Sequence, residues 1–141
     1  MLYLDTSLVV SAISREATTA RVQRWLEDQD QTLLTVSDWT ITEVSSALAQ
    51  KIRTRDISVE TRAEILSVFN RLLAETFTLL AVKAPHFRVA AKFTDQHALG
   101  LRSGDALHLA IASDHGATLY TLDGRLAEAG PLVGVPTVLV D

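Results

Sequence analysis

Four acidic residues occupy positions in the sequence where several carboxylates could act together. Asp5 follows a short apolar run at the start of the chain, and Asp123 follows the predicted strand Thr118–Leu122. Glu43 and Asp105 each lie in the first turn of a predicted helix. Because the carboxyl ends of parallel strands and the amino ends of the following helices share one edge of a sheet, we expect all four carboxylates at that edge.

Each of these acids also has a structural explanation that needs no ligand. Asp5 is a suitable helix N-cap, and Thr40 with Glu43 fits a capping box. A helix dipole favours Asp105, and Asp123 begins an Asp-Gly turn dipeptide. Four carboxylates on one edge, however, repel and raise one another's pKa, and a divalent cation relieves that repulsion. Oxygen ligands suit Mg²⁺, with Mn²⁺ as a substitute, so we predict a four-carboxylate metal site.

Strands and helices alternate along the chain in the order that positions these acids. The predicted strands are Leu2–Leu4, Thr32–Ser37, Phe77–Val82, Thr118–Leu122 and Thr137–Val140. The predicted helices are one that starts after Asp5, then Ala17–Asp28, Thr40–Lys51, Val59–Leu73 capped by Ser58, Pro85–Gly100, Gly104–His115 capped by Ser103, and Arg125–Ala129. This alternation predicts βαβ units in one α/β domain, residues 1–141, with a five-stranded parallel sheet and helices on both faces.

Composition sets limits on the function. The 141 residues are 48% hydrophobic, which indicates a globular chain. The net charge of −4 argues against a general nucleic-acid coat protein, although acids gathered at a metal site leave a nuclease open. The chain has no cysteine, and no apolar stretch approaches the roughly 20 residues that span a bilayer. The first strand leaves no room for a signal peptide, so we expect a cytoplasmic protein without membrane association.

Four segments carry a family resemblance: LYLDTSLVV, TITEVSSALA, GDALHLAIA and TLYTLDGRL. They resemble the PIN-domain nucleases and, among these, the VapC-type toxins of bacterial toxin–antitoxin pairs. The resemblance implies a PIN-like three-layer α/β fold and a metal-dependent endoribonuclease. It places Asp5, Glu43, Asp105 and Asp123 on the acidic positions of the family, and Thr6 or Ser7 on its polar first-turn positions.

The chemistry implied by the resemblance assigns a role to each acid. We expect Asp5 and Asp105 to be direct ligands of Mg²⁺, which lowers the pKa of a bound water. Glu43 and Asp123 would bind the metal through water or act as the base for the attacking water. Neutralising Asp5 is expected to abolish cleavage and to raise stability without metal by relieving repulsion. In the loop before Asp105, Arg102 is the one cationic candidate.

Three partners follow from the resemblance: an RNA substrate, a second copy in a homodimer, and a cognate antitoxin. Apolar residues near Ala47–Ile52 and Phe69–Leu73 are the predicted exposed patch for dimer formation. The antitoxin is expected to lay an amphipathic helix in an apolar groove and to place an Arg or Lys among the four acids.

Other classes and residues have weaker signals. A catalytically silent PIN-fold binding module stays open, whereas a receiver or haloacid-dehalogenase-like phosphatase fits less well, since Ser7 stands where a phosphatase needs a second aspartate. His108 shares a helix face with Asp105, but a packing or surface role is favoured. The basic run Lys51–Arg55 is interpreted as a solvated helix end rather than an RNA contact. Trp25 and Trp39 are interpreted as core or interface aromatics.

Overall fold

The central element is one five-stranded sheet, seen in a computed structural model that describes residues 1–141. All four strand pairings are parallel, and the strand order is β3-β2-β1-β4-β5. The strands are β1 Leu2–Leu4, β2 Leu34–Ser37, β3 Thr78–Leu80, β4 Thr118–Thr121 and β5 Thr137–Leu139. The predicted five-stranded parallel sheet is therefore confirmed.

Seven α-helices connect and flank the strands. They are α1 Thr6–Ile13, α2 Thr19–Glu27, α3 Asp38–Arg53, α4 Val59–Glu75, α5 Ala84–Asp95, α6 Ser103–Asp114 and α7 Gly124–Leu132. None of them is long and apolar enough to cross a membrane.

The helices cover both faces of the sheet, which is visible in how β1 divides the core. Tyr3 and Leu4 are both fully buried, but they belong to two different hydrophobic clusters. Tyr3 packs with residues of α5, α6 and α7, whereas Leu4 packs with residues of α1 to α4. Successive strand residues point to opposite faces, so the two clusters are the two interfaces of a three-layer fold.

The helix boundaries predicted on either side of Gly100 were wrong. The helix predicted over 85–100 ends at Asp95, and a short 3₁₀ turn, His97–Leu99, follows it. Gly100 then adopts φ +62°, a left-handed conformation that glycine reaches at no steric cost. The next helix begins at Ser103, with Arg102 as its N-cap, so Ser103 lies inside the helix that it was predicted to cap.

The predicted exposed patch for dimer formation was also wrong. Leu48 and Phe69 are buried against α1 and the sheet, and Phe69 is only 1% exposed. The most exposed large apolar side chains lie elsewhere and are Leu132 on α7, Val59 at the start of α4 and Phe87 on α5. The helices α3 and α4 pack on α1 and on each other, so the apolar residues at 47–52 and 69–73 contact other parts of the chain.

Candidate active site

Asp5 lies at the carboxyl end of β1 and begins α1. Its Oδ1 accepts hydrogen bonds from the Leu8 backbone N–H at 3.2 Å and from Ser7 Oγ at 2.6 Å, and its Oδ2 accepts one from Thr121 Oγ1 at 2.6 Å. The side chain is buried, and burial raises its pKa while the Ser7 and Thr121 hydrogen bonds act against that rise. Asp5 is thus both the N-cap of α1 and a buried acid at the sheet edge.

The two hydroxyls that hold Asp5 also hold the turn after β4. Ser7 Oγ accepts from the backbone N–H of Leu122 at 3.0 Å, and Thr121 Oγ1 accepts from that of Asp123 at 2.9 Å. Asp123 in turn caps α7, because its Oδ1 accepts from the first backbone N–H groups of that helix. The positions of Asp5 and Asp123 are therefore coupled through two buried or half-buried hydroxyls.

Glu43 extends from α3 toward α1 and α6, and it does not cap its own helix. The helix begins at Asp38, and Thr40 Oγ1 accepts from the Ser37 backbone N–H at 3.3 Å, so the structural alternative for Glu43, a capping box with Thr40, is not formed. Instead, Glu43 Oε1 accepts from Thr6 Oγ1 at 2.6 Å and from His108 Nε2. Burial acts to raise the pKa of Glu43, but these hydrogen bonds and the His108 ring outweigh it and lower the pKa.

Asp105 is the one acid of the four that accepts no hydrogen bond from the protein. It lies half-buried in the first turn of α6. Burial raises its pKa, and the negative charge of Asp123, followed by those of Asp5 and Glu43, raises it further. The four carboxylates therefore lie at one sheet edge, as predicted, and their repulsion acts on Asp105.

The donor set at this edge fits a hard divalent cation. Asp105 has both oxygens free, while Glu43 and Asp123 each have one oxygen without a protein donor. Asp5 Oδ2 has a single protein donor and so retains one lone pair. No three of these residues bring ligand atoms within 4.8 Å of one another. An ion among them would therefore be held partly through water, as Mg²⁺ commonly is.

His86, Asp114 and His115 form a tighter cluster, with ligand atoms within 4.8 Å, but the chemistry of His86 does not suit a metal. Its Nδ1 accepts from the Lys83 backbone N–H at 3.0 Å, so its Nε2 must carry the hydrogen that it donates to Asp114 at 2.8 Å. A nitrogen that carries hydrogen has no lone pair for a metal. This cluster instead ties α5 to the end of α6.

Sequence reasoning gave His108 a packing or surface role, whereas the structure places it in contact with the site. The ring is 1% exposed and donates to Glu43 from the third position after Asp105. The signal was available in the sequence, because residues three apart lie on one helix face. What the sequence did not contain was the position of α3, which brings Glu43 to that face.

Two arginines flank the carboxylates. A cleft of about 30 Å³ is lined by Leu99, Gly100, Leu101, Arg102, Asp105, Asp123, Arg125 and Leu126. Neither arginine forms an ion pair with either aspartate within 4.0 Å. At the first residue of the basic run Lys51–Arg55, Lys51 lies in the last turn of α3 and pairs with Glu16 at 2.8 Å.

Comparison with known proteins assigns the family. A model of the PIN domain matches residues 2–131. The chain belongs to the PIN-domain family. A relative of this PIN domain, Ribonuclease VapC35 of Mycobacterium tuberculosis, is 32% identical over 143 residues, which cover 98% of this chain and 96% of the relative.

Solved structures share the fold of this PIN domain at low sequence identity. The sarcin–ricin loop cleaving toxin VapC20 of Mycobacterium tuberculosis has a TM-score of 0.75 at 17% identity, covering 92% of this chain and 95% of that one. A toxin–antitoxin complex from Klebsiella pneumoniae has a TM-score of 0.66 at 17% identity, covering 100% and 98%. These likenesses identify the fold.

Proposed function

We propose that this PIN domain is a metal-dependent endoribonuclease, and that it is the toxin of a toxin–antitoxin pair acting in the cytoplasm. The observation that carries the activity is the arrangement around Asp105, a half-buried carboxylate without a protein donor whose pKa is raised by burial and by three neighbouring acids. The name of its relative, Ribonuclease VapC35, supports the same reaction.

Asp5, Glu43, Asp105 and Asp123 are the residues that would hold Mg²⁺, or Mn²⁺ in its place. When bound, the cation supplies Lewis-acid stabilisation of the phosphate charge and acidifies water for attack on phosphorus. Asp105 is the best-placed direct ligand, because no protein donor competes for its oxygens. Asp5 binds through at most one free lone pair, since its other acceptor sites are occupied.

Glu43 is the residue suited to take a proton from the attacking water. Its Oε1 is filled by Thr6 and His108, which leaves Oε2 free to accept. Its lowered pKa keeps this carboxylate ionised at neutral pH. Asp123, with Oδ1 committed to capping α7, offers its second oxygen to the same water or to the ion.

The two arginines provide a place for the RNA backbone. Arg102 and Arg125 lie beside Asp105 and Asp123 without pairing with them, so their guanidinium groups are free to bind phosphate oxygens. A backbone held there would place a neighbouring phosphodiester bond against the carboxylates. An acidic protein can bind RNA in this way, because the positive charge is local.

The nuclease function is tested with purified protein and a mixed RNA pool. We expect cleavage with Mg²⁺ or Mn²⁺, none with EDTA, and none by a folded Asp105→Asn or Asp5→Asn variant. Glu64→Gln, which neutralises an exposed acid in the middle of α4, is the matched control and should cleave like the wild type. Cleavage that survives both site substitutions would contradict the proposed site, and no cleavage by the wild type would favour the silent binding module.

A groove suited to the antitoxin partner lies on the α1, α2 and α4 side of the sheet. This groove has a volume of about 460 Å³, and its apolar lining includes Ile13, Leu26, Val68 and Phe77. Ile13 ends α1 and Asp5 begins it, so the groove and the acids are separated by an eight-residue helix, about 12 Å long. We therefore expect an amphipathic helix in the groove, followed by a segment that carries an Arg or Lys to the carboxylates.

Calorimetric titration with the product of the neighbouring gene tests this partner. Asp105→Asn should bind it more weakly than the wild type, and excess Mg²⁺ should weaken inhibition. Equal affinities together with no metal effect would mean that inhibition acts elsewhere on the surface.

A homodimer completes the proposed assembly. The exposed Phe87, which is 56% exposed, borders an apolar groove between α5 and α6 of about 340 Å³ that also includes Trp39 and Leu107. An isologous twofold contact is the commonest way to cover such a face. Light scattering at micromolar concentration should give a dimer for the wild type and a monomer for Phe87→Asp.

A further inference from the structure

We propose that His108 is a positioning residue that aims Glu43 at the neighbouring carboxylates. Tyr3 and Ser37 fix its ring from the core side. This role rests on the proposed function, and it concerns three side chains that offer no ligand to the metal themselves.

A continuous chain of hydrogen bonds runs from the core to the site. His108 Nε2 contacts Glu43 Oε1, and its Nδ1 lies 2.7 Å from Tyr3 Oη. Tyr3 Oη lies 2.8 Å from Ser37 Oγ, at the end of β2. Tyr3, His108 and Ser37 are all buried, so the chain is shielded from water along its length. Buried hydrogen-bonded side chains of this kind have one preferred geometry.

The direction of the bond to Glu43 does not depend on the charge of the imidazole. An ionised carboxylate only accepts, so Nε2 must carry the hydrogen. In the neutral ring, Nδ1 accepts from the Tyr3 hydroxyl, which accepts from Ser37. In the charged ring, Nδ1 donates to Tyr3, which donates to Ser37. The same atoms stay in place in both states, so His108 is a donor to Glu43 throughout.

Tyr3 keeps its hydrogen over the whole working range of pH. Burial raises the pKa of its hydroxyl well above the usual value, and the charges of Glu43 and Asp5 add to that effect. The Ser37 and Thr40 hydroxyls act in the opposite direction and are outweighed. The phenol therefore always has both a hydrogen to donate and an oxygen to accept.

These contacts hold one oxygen of Glu43 in hydrogen bonds and orient the other toward α6. Thr6 Oγ1 and His108 Nε2 together occupy both acceptor sites of Oε1. Oε2 faces the first turn of α6, where a Cβ added to Gly104 would lie 2.9 Å from it. A Cβ at this position would force the carboxylate to move from this place. Outer partners that fix a ligand in this way spare it the loss of rotamer freedom when the ion binds.

The test measures Mn²⁺ affinity by calorimetry, without RNA, beside the Mg²⁺ dependence of RNA cleavage. His108→Leu removes the donor, His108→Gln keeps an amide N–H in its place, and Tyr3→Phe removes only the hydroxyl that holds the ring. We expect His108→Leu to weaken Mn²⁺ binding about 10- to 100-fold, the range typical of such outer partners. His108→Gln should recover part of the loss, and Tyr3→Phe should cause a smaller loss in the same direction.

His86→Gln is the matched control, because His86 is an equally buried histidine that bonds to Asp114 and not to any of the four acids. It should lower the melting temperature without changing Mn²⁺ affinity. Circular dichroism establishes which variants are folded. If His108→Leu does not fold, Tyr3→Phe decides the question on the same scale.

The positioning role would be overturned if folded His108→Leu bound Mn²⁺ as tightly as the wild type does. If His108→Leu does not fold, the same result for Tyr3→Phe would overturn it. If the wild type cleaves RNA in that case, the nuclease function stands without the positioning role. Suppose instead that the wild type cuts no RNA and that substitution of His108 weakens Mn²⁺ binding. This result would support the positioning role and reject the nuclease function. The two failures are therefore distinguishable.

Discussion

The Thr121 hydroxyl donates a 2.6 Å hydrogen bond to Asp5 and thereby joins the carboxyl ends of two paired parallel strands. The same oxygen accepts from the Asp123 backbone N–H at 2.9 Å. Thr121 is fully buried, so this geometry has no competition from water. One small side chain thus determines where two acids of the site stand relative to each other.

We predict that Thr121→Val lowers RNA cleavage and that Thr121→Ser retains it. Valine has the same shape but leaves an Asp5 oxygen and the Asp123 N–H without their partner, which costs about 1–3 kcal/mol of stability per buried group. The expected loss in kcat/KM is about 10- to 100-fold, as for other residues that orient ligands. Single-turnover kinetics and thermal unfolding measure the two effects. Unchanged cleavage by Thr121→Val would show that Asp5 needs no such support.

We expect the stability effect of charge repulsion to be larger at Asp105 than at Asp5, where the first prediction placed it. The Asp5 oxygens accept three hydrogen bonds, which an asparagine amide cannot fully replace. Asp105 accepts none, and burial with its acidic neighbours raises its pKa. A raised folded-state pKa means that the native state binds more protons than the unfolded state between the two pKa values. Stability from this group is therefore present at low pH and lost as pH rises through that interval.

We accordingly predict that Asp105→Asn melts at a higher temperature than the wild type at pH 7 without metal. The difference should shrink as pH falls through the interval above the ordinary carboxyl pKa, roughly pH 4, and should be absent below it. Added Mg²⁺ should raise the melting temperature of the wild type more than that of the variant, since only a bound ion stabilises the native state. Calorimetric scans at several pH values check this, with Glu64→Gln as the control. A variant less stable than the wild type at pH 7 would argue against repulsion.

Gly104 and Gly124 form a matched pair for testing the space around Glu43. Both lie in the first turn of a helix at the site edge. A Cβ on Gly104 would come within 2.9 Å of Glu43 Oε2, whereas a Cβ on Gly124 would meet nothing within 4 Å. We predict that Gly104→Ala displaces the carboxylate and lowers both Mn²⁺ affinity and cleavage. Gly124→Ala should leave both near wild type, and equal behaviour of the two variants would contradict the close approach.

Arg102 and Arg125 are expected to bind the RNA backbone. Alanine at either position should weaken binding of an RNA oligonucleotide, measured by fluorescence anisotropy in EDTA. The slope of log affinity against log salt should fall by about 0.7 for each single-strand phosphate contact removed. Arg88→Ala, an exposed arginine on α5, is the control and should leave the slope unchanged. If all variants showed the same salt dependence of RNA affinity, the cleft beside Arg102 and Arg125 would not be an RNA-binding site.

The sequence by itself determined the layer architecture and the edge where the acids lie. Apolar strands that alternate with amphipathic helices predict a parallel sheet covered by helices on both faces. The structure has such a sheet. Asp5, Glu43, Asp105 and Asp123 were predicted at this edge for the same reason, because each was predicted to follow a strand or to open a helix. Where local turn chemistry decided the outcome, as at Gly100 and Ser103, the predicted helix boundaries were wrong.

Only the tertiary structure decided what each acid contacts. Thr121 and Asp5 are 116 residues apart in sequence, and His108 and Glu43 are 65 apart, so no local pattern links either pair. Hydrogen bonds across such separations depend on strand order and on helix placement, which periodicity does not encode. Glu43 is an example: the local pattern allowed a capping box with Thr40, but Thr40 itself accepts from the Ser37 backbone N–H at the start of α3, and Glu43 bonds to His108 instead. Burial and long-range contacts thus determine the pKa shifts and the orientation of the four acids. The sequence alone could only place these acids at one edge of the sheet.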